Sequence, residues 1–164
     1  MKLIPLTRGK TAMIDDVDFP LVSPYTWHAH PGRKHWYAAT TVKYPDGRYA
    51  LLLMHRLILG ARSGQIVDHA NYNGLDNQRS NLRFCTESQN RYNCTYRKRG
   101  RPDSSRYKGV YWDKQKKKWR AEICAKGKKI RIGAFSTEKD AALAYDNALY
   151  RIAGPFARPN FPKN

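Results

Sequence analysis

Asp68, His69 and Asn90 are residues whose types could carry out phosphodiester hydrolysis. A histidine beside a carboxylate can accept a proton from an attacking water. Carboxylate and carboxamide oxygens are ligands that Mg²⁺ prefers, and Asp68 and Asn90 supply one of each. A simpler interpretation is that Asp68-His69 is a chance dipeptide and that the asparagines form turns. The residues alone leave both hypotheses open.

Short elements must position these side chains. Residues 67–69 are typical of the end of a strand, residues 70–81 are rich in Asn, Asp and Gly and predict a long loop, and residues 82–86 predict a second strand. A short helix is expected to begin at Glu87, with Thr86 as its N-cap. This order places Asp68 and His69 at a strand end and Asn90 on the following helix.

The upstream part of the chain predicts a small β-rich region. Two β-rich runs, residues 35–44 and 48–55, flank residues 45–47 (PDG), which is the pattern of a hairpin. His55 lies in a Leu-rich run, so we interpret it as a packed residue and leave it out of the catalytic set.

The last third of the chain predicts three strands and one helix. The strands are expected at residues 108–112, 118–125 and 129–135, joined by short polar turns. Thr137 offers an N-cap for a helix whose apolar residues recur at helical spacing until Gly154. The predicted fold class is therefore α+β.

The charge of the chain favours nucleic acid as its partner. There are 31 Lys and Arg residues against 13 Asp and Glu, a formal net charge of +18, and residues 91–131 hold 16 basic and three acidic residues. Such a field attracts polyanions, with DNA or RNA ahead of an anionic membrane surface. No apolar run approaches the roughly 20 residues of a membrane span. The start of the chain does not resemble a signal peptide, so we expect an intracellular protein.

Residues 97–105 (RKRGRPDSS) lack apolar residues and carry Gly, Pro and Ser, the composition of a solvated linker. The predicted domains are thus 1–94, a basic linker at 95–104, and 105–164. Basic residues of the linker and of the predicted strands are expected to contact DNA phosphates. They are Arg97, Lys98, Arg99, Lys118 and Arg120.

Residues 67–83 (VDHANYNGLDNQRSNLR), followed by 88–90 (SQN), closely resemble the HNH homing endonucleases. Residues 4–10 (IPLTRGK) and 54–58 (MHRLI) look like the upstream parts of these enzymes, so the resemblance covers about residues 3–94. It implies a ββα-metal (His-Me finger) nuclease unit that uses Mg²⁺ or another divalent cation such as Mn²⁺. By position, His69 matches the general base, Asp68 and Asn90 the metal ligands, and Asn81 the residue that fixes the loop and the base. Asn90 stands where other family members have His, a variant that phage members use.

Residues 107–112 (YKGVYW), 118–123 (KWRAEI), 130–135 (IRIGAF) and 141–146 (AALAYD) resemble the DNA-binding domain of the plant Apetala and ethylene-response factors. This resemblance covers about residues 105–162 and implies a three-stranded antiparallel sheet packed on one helix, which reads the major groove. Tyr111 and Arg131 replace the family's usual Arg and Trp. The positions that match the family's DNA contacts are Lys108, Tyr111, Glu122, Lys129 and Arg131.

Together these features predict a metal-dependent DNA endonuclease of the HNH homing type with a C-terminal DNA-gripping domain. We expect double-stranded DNA as the partner, no membrane or small-molecule cofactor, and a monomer rather than a dimer. The expected location is the cytoplasm of a bacterial cell, with a phage or mobile element as a source. The alternatives are a non-catalytic DNA-binding regulator that retains the nuclease fold, and an RNA-binding or ribosome-associated basic protein.

Overall fold

The computed structural model describes residues 1–32, 35–94, 105–125 and 127–162. They divide into two compact units, Met1–Thr86 and Glu87–Asn164. Within these described residues, no helix has the length and apolarity needed to cross a membrane.

The first unit contains three small antiparallel sheets and two short helices. Strands β1 and β2 form one hairpin, β3, β4 and β5 form a three-stranded sheet in that order, and β6 and β7 form a second hairpin. The elements are β1 Lys2–Pro5, β2 Thr11–Ile14, α1 Phe19–Val22, β3 His28–Pro31, β4 Trp36–Lys43, β5 Tyr49–Leu53, α2 Met54–Ile58, β6 Ile66–His69 and β7 Leu82–Cys85.

The predicted hairpin at residues 35–55 is confirmed by β4 and β5. Its turn is closed by a hydrogen bond from Tyr44 N to Arg48 O of 2.8 Å, and Gly47 has φ of +83°. The predicted second strand ran to His55, which is wrong at its end because β5 stops at Leu53. Met54, His55 and Ile58 are buried in helix α2 instead, so the Leu-rich run serves a helix face.

The core of the first unit lies between the sheets and the two short helices. Ile14, Val22 and Met54 are completely buried. The Trp27 indole N–H donates to Val22 O at 2.9 Å, so the one polar atom of this buried ring is satisfied. This core supports α2 and the start of β6.

The second unit consists of one antiparallel sheet, a long helix packed on it, and a short preceding helix. The elements are α3 Glu87–Tyr92, β8 Val110–Asp113, β9 Lys118–Ala125, β10 Lys128–Phe135 and α4 Glu138–Ala153. The strand order is β10-β9-β8, which confirms the predicted three-stranded sheet with one helix.

The sequence signals for α4 are borne out at both ends. Thr137 Oγ1 accepts a hydrogen bond from Asp140 N at 3.1 Å, which makes it an N-cap, and Gly154 with φ of +52° ends the helix. Ala141, Ala142 and Leu149 are completely buried against the sheet. Small residues at this spacing let the helix lie close to the strands.

Helix α3 begins at Glu87, as predicted, but it packs in the second unit. Tyr92 at its end is 9% exposed and belongs to the second unit's apolar core. The chain order β6, β7, α3 is that of a ββα unit, whereas the ββα-metal fold and the domain limits 1–94, 95–104 and 105–164 stay predictions. Residues 95–104 lie outside the described residues.

Candidate active site and nucleic-acid interface

Asp68 and His69 are the last two residues of β6, where the hairpin with β7 holds them. Their register partners across the hairpin are Arg83 and Leu82. Both side chains are 6% exposed, so the candidate base and its acidic neighbour are removed from bulk water. Burial of this kind disfavours the charged form of the His69 imidazole.

Asn81 fixes the loop that connects the two strands. Its side-chain amide donates to Asp76 O at 2.7 Å, and its Oδ1 accepts from Asn71 N at 2.9 Å. Its backbone carbonyl also accepts from Ala70 N at 2.8 Å. These bonds join the start, middle and end of the loop, which is the geometry expected of a residue that holds the loop in place.

The imidazole of His69 is oriented by Asn77, a residue that sequence reasoning missed. Its Nε2 lies 3.3 Å from Asn77 Oδ1, and Asn77 Nδ2 donates to Leu75 O at 3.2 Å. Because that second bond sets the amide orientation, Oδ1 faces His69 and Nε2 carries the proton. Burial lowers the pKa of His69, while the bond to Asn77 and the charges of Asp68 and Asp76 oppose this shift. Nothing in the sequence distinguishes Asn77 from the other loop asparagines.

A second imidazole lies against His69. The ring of His55 is 4.8 Å from that of His69 between centroids, and Tyr37 is 5.6 Å from His55 and 5.9 Å from His69. His55 is 6% exposed and its Nδ1 is buried without a hydrogen bond. Burial first, then the charges of His69 and Arg56, lower the pKa of His55 to about 3. His55 is packed as the sequence predicted, but its neighbour is the candidate base.

Asp68 is paired with an arginine of the neighbouring strand. Arg83 donates to Asp68 Oδ2 from Nε at 2.9 Å and from a terminal nitrogen at 2.7 Å. The guanidinium balances the buried negative charge. A carboxylate has several acceptor positions, so Asp68 can be a hard oxygen ligand beside Arg83.

The described residues contain no group of three or more His, Cys, Asp or Glu placed to hold a metal ion. Mg²⁺ keeps several waters and needs only one or two protein carboxylates. Binding of such an ion by Asp68 and Asn90 stays a prediction. Asn90, the other predicted ligand, lies half-buried on α3 in the second unit, where its carbonyl is 3.4 Å from Cys94 Sγ.

The outward face of the second unit's sheet gathers most of the predicted DNA contacts. Residues directly opposite in an antiparallel sheet share a face, as do alternate residues along a strand. By the register of β8, β9 and β10, this outer face holds Tyr111, Lys118, Arg120, Glu122, Lys129 and Arg131. The opposite face carries Ala121 and Ile123, which are buried in the apolar core with α4.

An acidic residue sits among the cations of this outer face. Tyr111 donates to Glu122 Oε1 at 2.8 Å, and Arg131 Nε lies 3.6 Å from the same oxygen. Burial and the neighbouring Glu122 raise the pKa of Tyr111. Arg120 Nε donates to Asp113 Oδ2 at 2.7 Å, so this guanidinium is held by a carboxylate of the neighbouring strand. The outer face is thus basic, and Tyr111, Arg120 and Arg131 on it are each held by contact with an acidic side chain.

Lys108 does not belong to that face. Its ammonium donates to three backbone carbonyls, Arg158 O at 2.7 Å, Tyr92 O at 2.9 Å and Cys94 O at 3.1 Å. Burial lowers its pKa to about 8. Its role as a DNA contact stays a prediction, and the structure gives its three donors other partners. The predicted linker contacts Arg97, Lys98 and Arg99 lie outside the described residues.

Comparison with known proteins connects both halves of the chain to named families. An uncharacterised HNH endonuclease of Acanthamoeba polyphaga mimivirus is 30% identical over 156 residues, covering 93% of this chain and 76% of the relative. The chain belongs to the HNH endonuclease family. In this HNH family member, residues 105–155 match the AP2 domain family.

Plant proteins are also similar to part of this HNH family member. An ethylene-responsive transcription factor of Arabidopsis thaliana is 46% identical over 69 residues, covering 41% of the chain and 35% of the relative. A dehydration-responsive element-binding protein of the same plant is 41% identical over 75 residues, covering 42% of the chain and 34% of the relative. No solved structure shows significant similarity to the chain.

Proposed function

We propose that the chain is a metal-dependent DNA endonuclease of the homing type, in which a water activated by His69 hydrolyses a phosphodiester bond. The observation that carries this proposal is the buried His69 at the end of β6, oriented by Asn77 and adjacent to Asp68. The relationship to a protein named an HNH endonuclease supports the same reaction class. Double-stranded DNA is the proposed substrate, and a monomer is the proposed working form.

His69 has the properties of a general base. With the proton of Nε2 directed at Asn77, the lone pair lies on Nδ1, which can accept a proton from water. A pKa below the ordinary histidine value keeps the ring neutral at neutral pH, so the base is present in its active form. Asn77 then stabilises the imidazolium that forms, because its carbonyl oxygen continues to accept from Nε2.

We propose Asp68 and Asn90 as the residues that would hold a divalent cation, Mg²⁺ or Mn²⁺. Such an ion supplies Lewis-acid stabilisation of the negative charge that develops on the phosphate. Arg83 fixes the position of the Asp68 side chain, since two of its donors end on one carboxylate oxygen. Asn81 contributes by holding the loop that supports His69.

Residues 105–162, which we call the AP2 unit, are the proposed DNA grip, because the outer face of their sheet presents basic side chains and strands can enter the major groove. Lys118, Lys129 and Arg131 are exposed there and can reach phosphates. Glu122 is held in place by Tyr111, and a glutamate can accept a hydrogen bond from a cytosine amino group. A virus or mobile element is the proposed source, supported by the mimivirus relative, and the bacterial cytoplasm stays a prediction.

A non-catalytic DNA-binding regulator is the second candidate. The observation in its favour is the Asp68–Arg83 ion pair, which would satisfy the carboxylate in a site that binds no metal. An enzyme and a regulator differ in one measurable respect, because only the enzyme converts supercoiled plasmid to nicked or linear DNA.

Plasmid cleavage by the full chain, with Mg²⁺ and with EDTA, tests the proposal. We expect cleavage only with Mg²⁺, and a rate about 10²- to 10⁴-fold lower in His69→Ala, the usual cost of losing a general base. Duplex binding should change little in this variant. His28→Ala, which alters a histidine of β3, is the control. Binding without cleavage in every metal would favour the regulator, and preferential binding of RNA would contradict both.

A further inference from the structure

Helix α3 is fastened to the AP2 unit at its C-terminal end. Tyr92, the last helical residue, donates its hydroxyl proton to Cys124 O on β9 at 2.9 Å. The carbonyl of Tyr92 accepts from Arg158 N at 3.3 Å as well as from Lys108. The ring itself is packed in the core beneath the sheet. One residue thus ties the helix to a strand, to the segment before β8 and to the C-terminal segment.

Lys108 completes this attachment of α3. An ammonium group has three N–H donors, and Lys108 directs all three at carbonyls. Two of these carbonyls, those of Tyr92 and Cys94, belong to the end of α3, where backbone oxygens lack partners within the helix and a positive charge is favourable. The same cation lies 5.9 Å above the Tyr145 ring of α4.

The helix needs this support because it is short. Isolated helices of fewer than about 12 residues are marginal in water, and α3 contains six residues. Asn90, the proposed metal ligand, stands two residues before Tyr92 on this same helix. The attachment that orders the helix therefore also fixes the backbone of Asn90.

We infer that Tyr92 and Lys108 are positioning residues for Asn90, so that the AP2 unit is a structural part of the nuclease motif in addition to gripping DNA. This inference rests on the role proposed above for Asn90. It also separates Lys108 from the DNA contacts, because an ammonium engaged with three carbonyls is not available to a phosphate. Loss of Lys108 should consequently impair cleavage rather than DNA affinity.

The experiment uses full-length Lys108→Met and Tyr92→Phe, with Lys139→Met and Tyr49→Phe as matched controls at exposed positions. Lys108→Met keeps a linear side chain of similar length while it removes the three N–H donors, and Tyr92→Phe removes only the hydroxyl. Three quantities are measured: amide hydrogen exchange of residues 92–94, the Mg²⁺ concentration that gives half-maximal cleavage, and duplex affinity as a function of salt.

We expect faster exchange at residues 92–94 in both variants, since the amides of Asn93 and Cys94 are bonded within the helix to Gln89 O and Arg91 O. The half-maximal Mg²⁺ concentration should rise about 10- to 100-fold in Lys108→Met, the usual effect of removing a residue that orients a metal ligand. The salt slope of binding should equal that of the wild type and of both controls.

Wild-type exchange and wild-type Mg²⁺ dependence, together with a salt slope lowered by about 0.9, would overturn the inference and establish Lys108 as a phosphate contact. Asn90→Ala separates the two levels of the proposal. A wild-type rate in Asn90→Ala would overturn the ligand assignment and the inference with it. A slow Asn90→Ala beside an unaffected Lys108→Met would overturn the inference alone.

Discussion

The pKa of His69, the proposed general base, is set by burial and by a hydrogen bond that act in opposite directions. Burial at the end of β6 disfavours the imidazolium, whereas Asn77 accepts from Nε2 and favours it. A base tuned in this way gives up its proton readily after it has accepted one, which a catalytic cycle requires. Asn77 is therefore the residue whose substitution should move the pH dependence of cleavage without removing the base.

Substitutions at Asn77 should shift the acidic limb of the pH–rate profile in opposite directions. Loss of the hydrogen bond in Asn77→Leu lowers the pKa of His69 further, so the limb should move to lower pH while misplacement of the ring slows the rate by up to about 10²-fold. A negative charge in Asn77→Asp raises that pKa, so the limb should move to higher pH. Single-turnover cleavage between pH 4.5 and 8 measures both. Shifts of the same sign in the two variants would contradict the assignment of Asn77.

His55 should make the stability of the first unit depend on pH. Its pKa is about 3 in the folded chain and about 6.5 when unfolded, so the stabilisation is fully present above pH 6.5 and is lost as pH falls towards 3. The groups that face it are His69, Tyr37 and Arg56.

Replacing His55 by Phe removes this titration. Each pH unit below 6.5 costs the wild type about 1.4 kcal/mol through this group, so the difference in unfolding free energy between wild type and His55→Phe should change by about 2 to 3 kcal/mol between pH 7 and pH 4.5. Urea unfolding at the two pH values measures it. Parallel behaviour of the two proteins would show that His55 is not buried as a neutral ring.

At the scale of elements, the contact between α4 and the sheet depends on Gly109. This residue has φ of +76°, and a Cβ there would overlap the Tyr145 ring of α4 and lie 2.8 Å from Glu122 O. The absence of a side chain therefore lets the helix lie directly on β8 and β9.

Gly109→Ala should destabilise the AP2 unit strongly. Overpacking typically costs about 1 to 3 kcal/mol, and the left-handed backbone adds about 1 kcal/mol for a residue with a Cβ. Gly127→Ala is the matched control, because Gly127 has φ of +74° and nothing within 4 Å of its Cβ position. Thermal unfolding should show a clearly larger loss for Gly109→Ala. Equal losses would mean that backbone strain alone explains both.

At the scale of the whole molecule, the net charge of +18 favours long-range attraction to DNA. The proposed base His69, the proposed ligands Asp68 and Asn90, and the loop residue Asn81 all precede position 95. From the sequence, deletion of residues 105–164 would therefore be expected to leave residual metal-dependent cleavage. The structure changes this expectation, because the partners of Tyr92 and Cys94 are Cys124, Lys108 and Arg158.

A chain that lacks residues 105–164 should lose cleavage as well as most DNA affinity. Without the AP2 unit, α3 has none of these partners, and fewer basic residues remain to displace counterions from DNA, so the salt slope should flatten by about 0.9 for each phosphate that is no longer neutralised. Plasmid cleavage and salt-dependent duplex binding measure the two effects, and circular dichroism checks that the truncated chain folds. Metal-dependent cleavage at the full-length rate by a folded truncation would contradict this account.

The elements of this protein could be predicted from local patterns. The turn at residues 45–47, the N-cap Thr137 and the stop at Gly154 depend on nearby residues, because turn geometry and helix capping are satisfied within a few positions along the chain. Resemblance in the runs around His69 and Tyr107 likewise indicated the two families, and the comparisons confirm both. The end of β5 was misplaced because the Leu-rich run is compatible with a strand or a buried helix.

The sequence by itself determined which residue types were available at the site, the chain order of strands and helix, and the excess of positive charge. Only the tertiary structure decided that Asn77 orients His69, that His55 lies against it, and that Lys108 holds the end of α3. Each of these contacts joins residues that are not neighbours in the sequence. A buried polar group must find a hydrogen-bond partner in the folded protein, and packing of the whole unit decides which partner lies within reach.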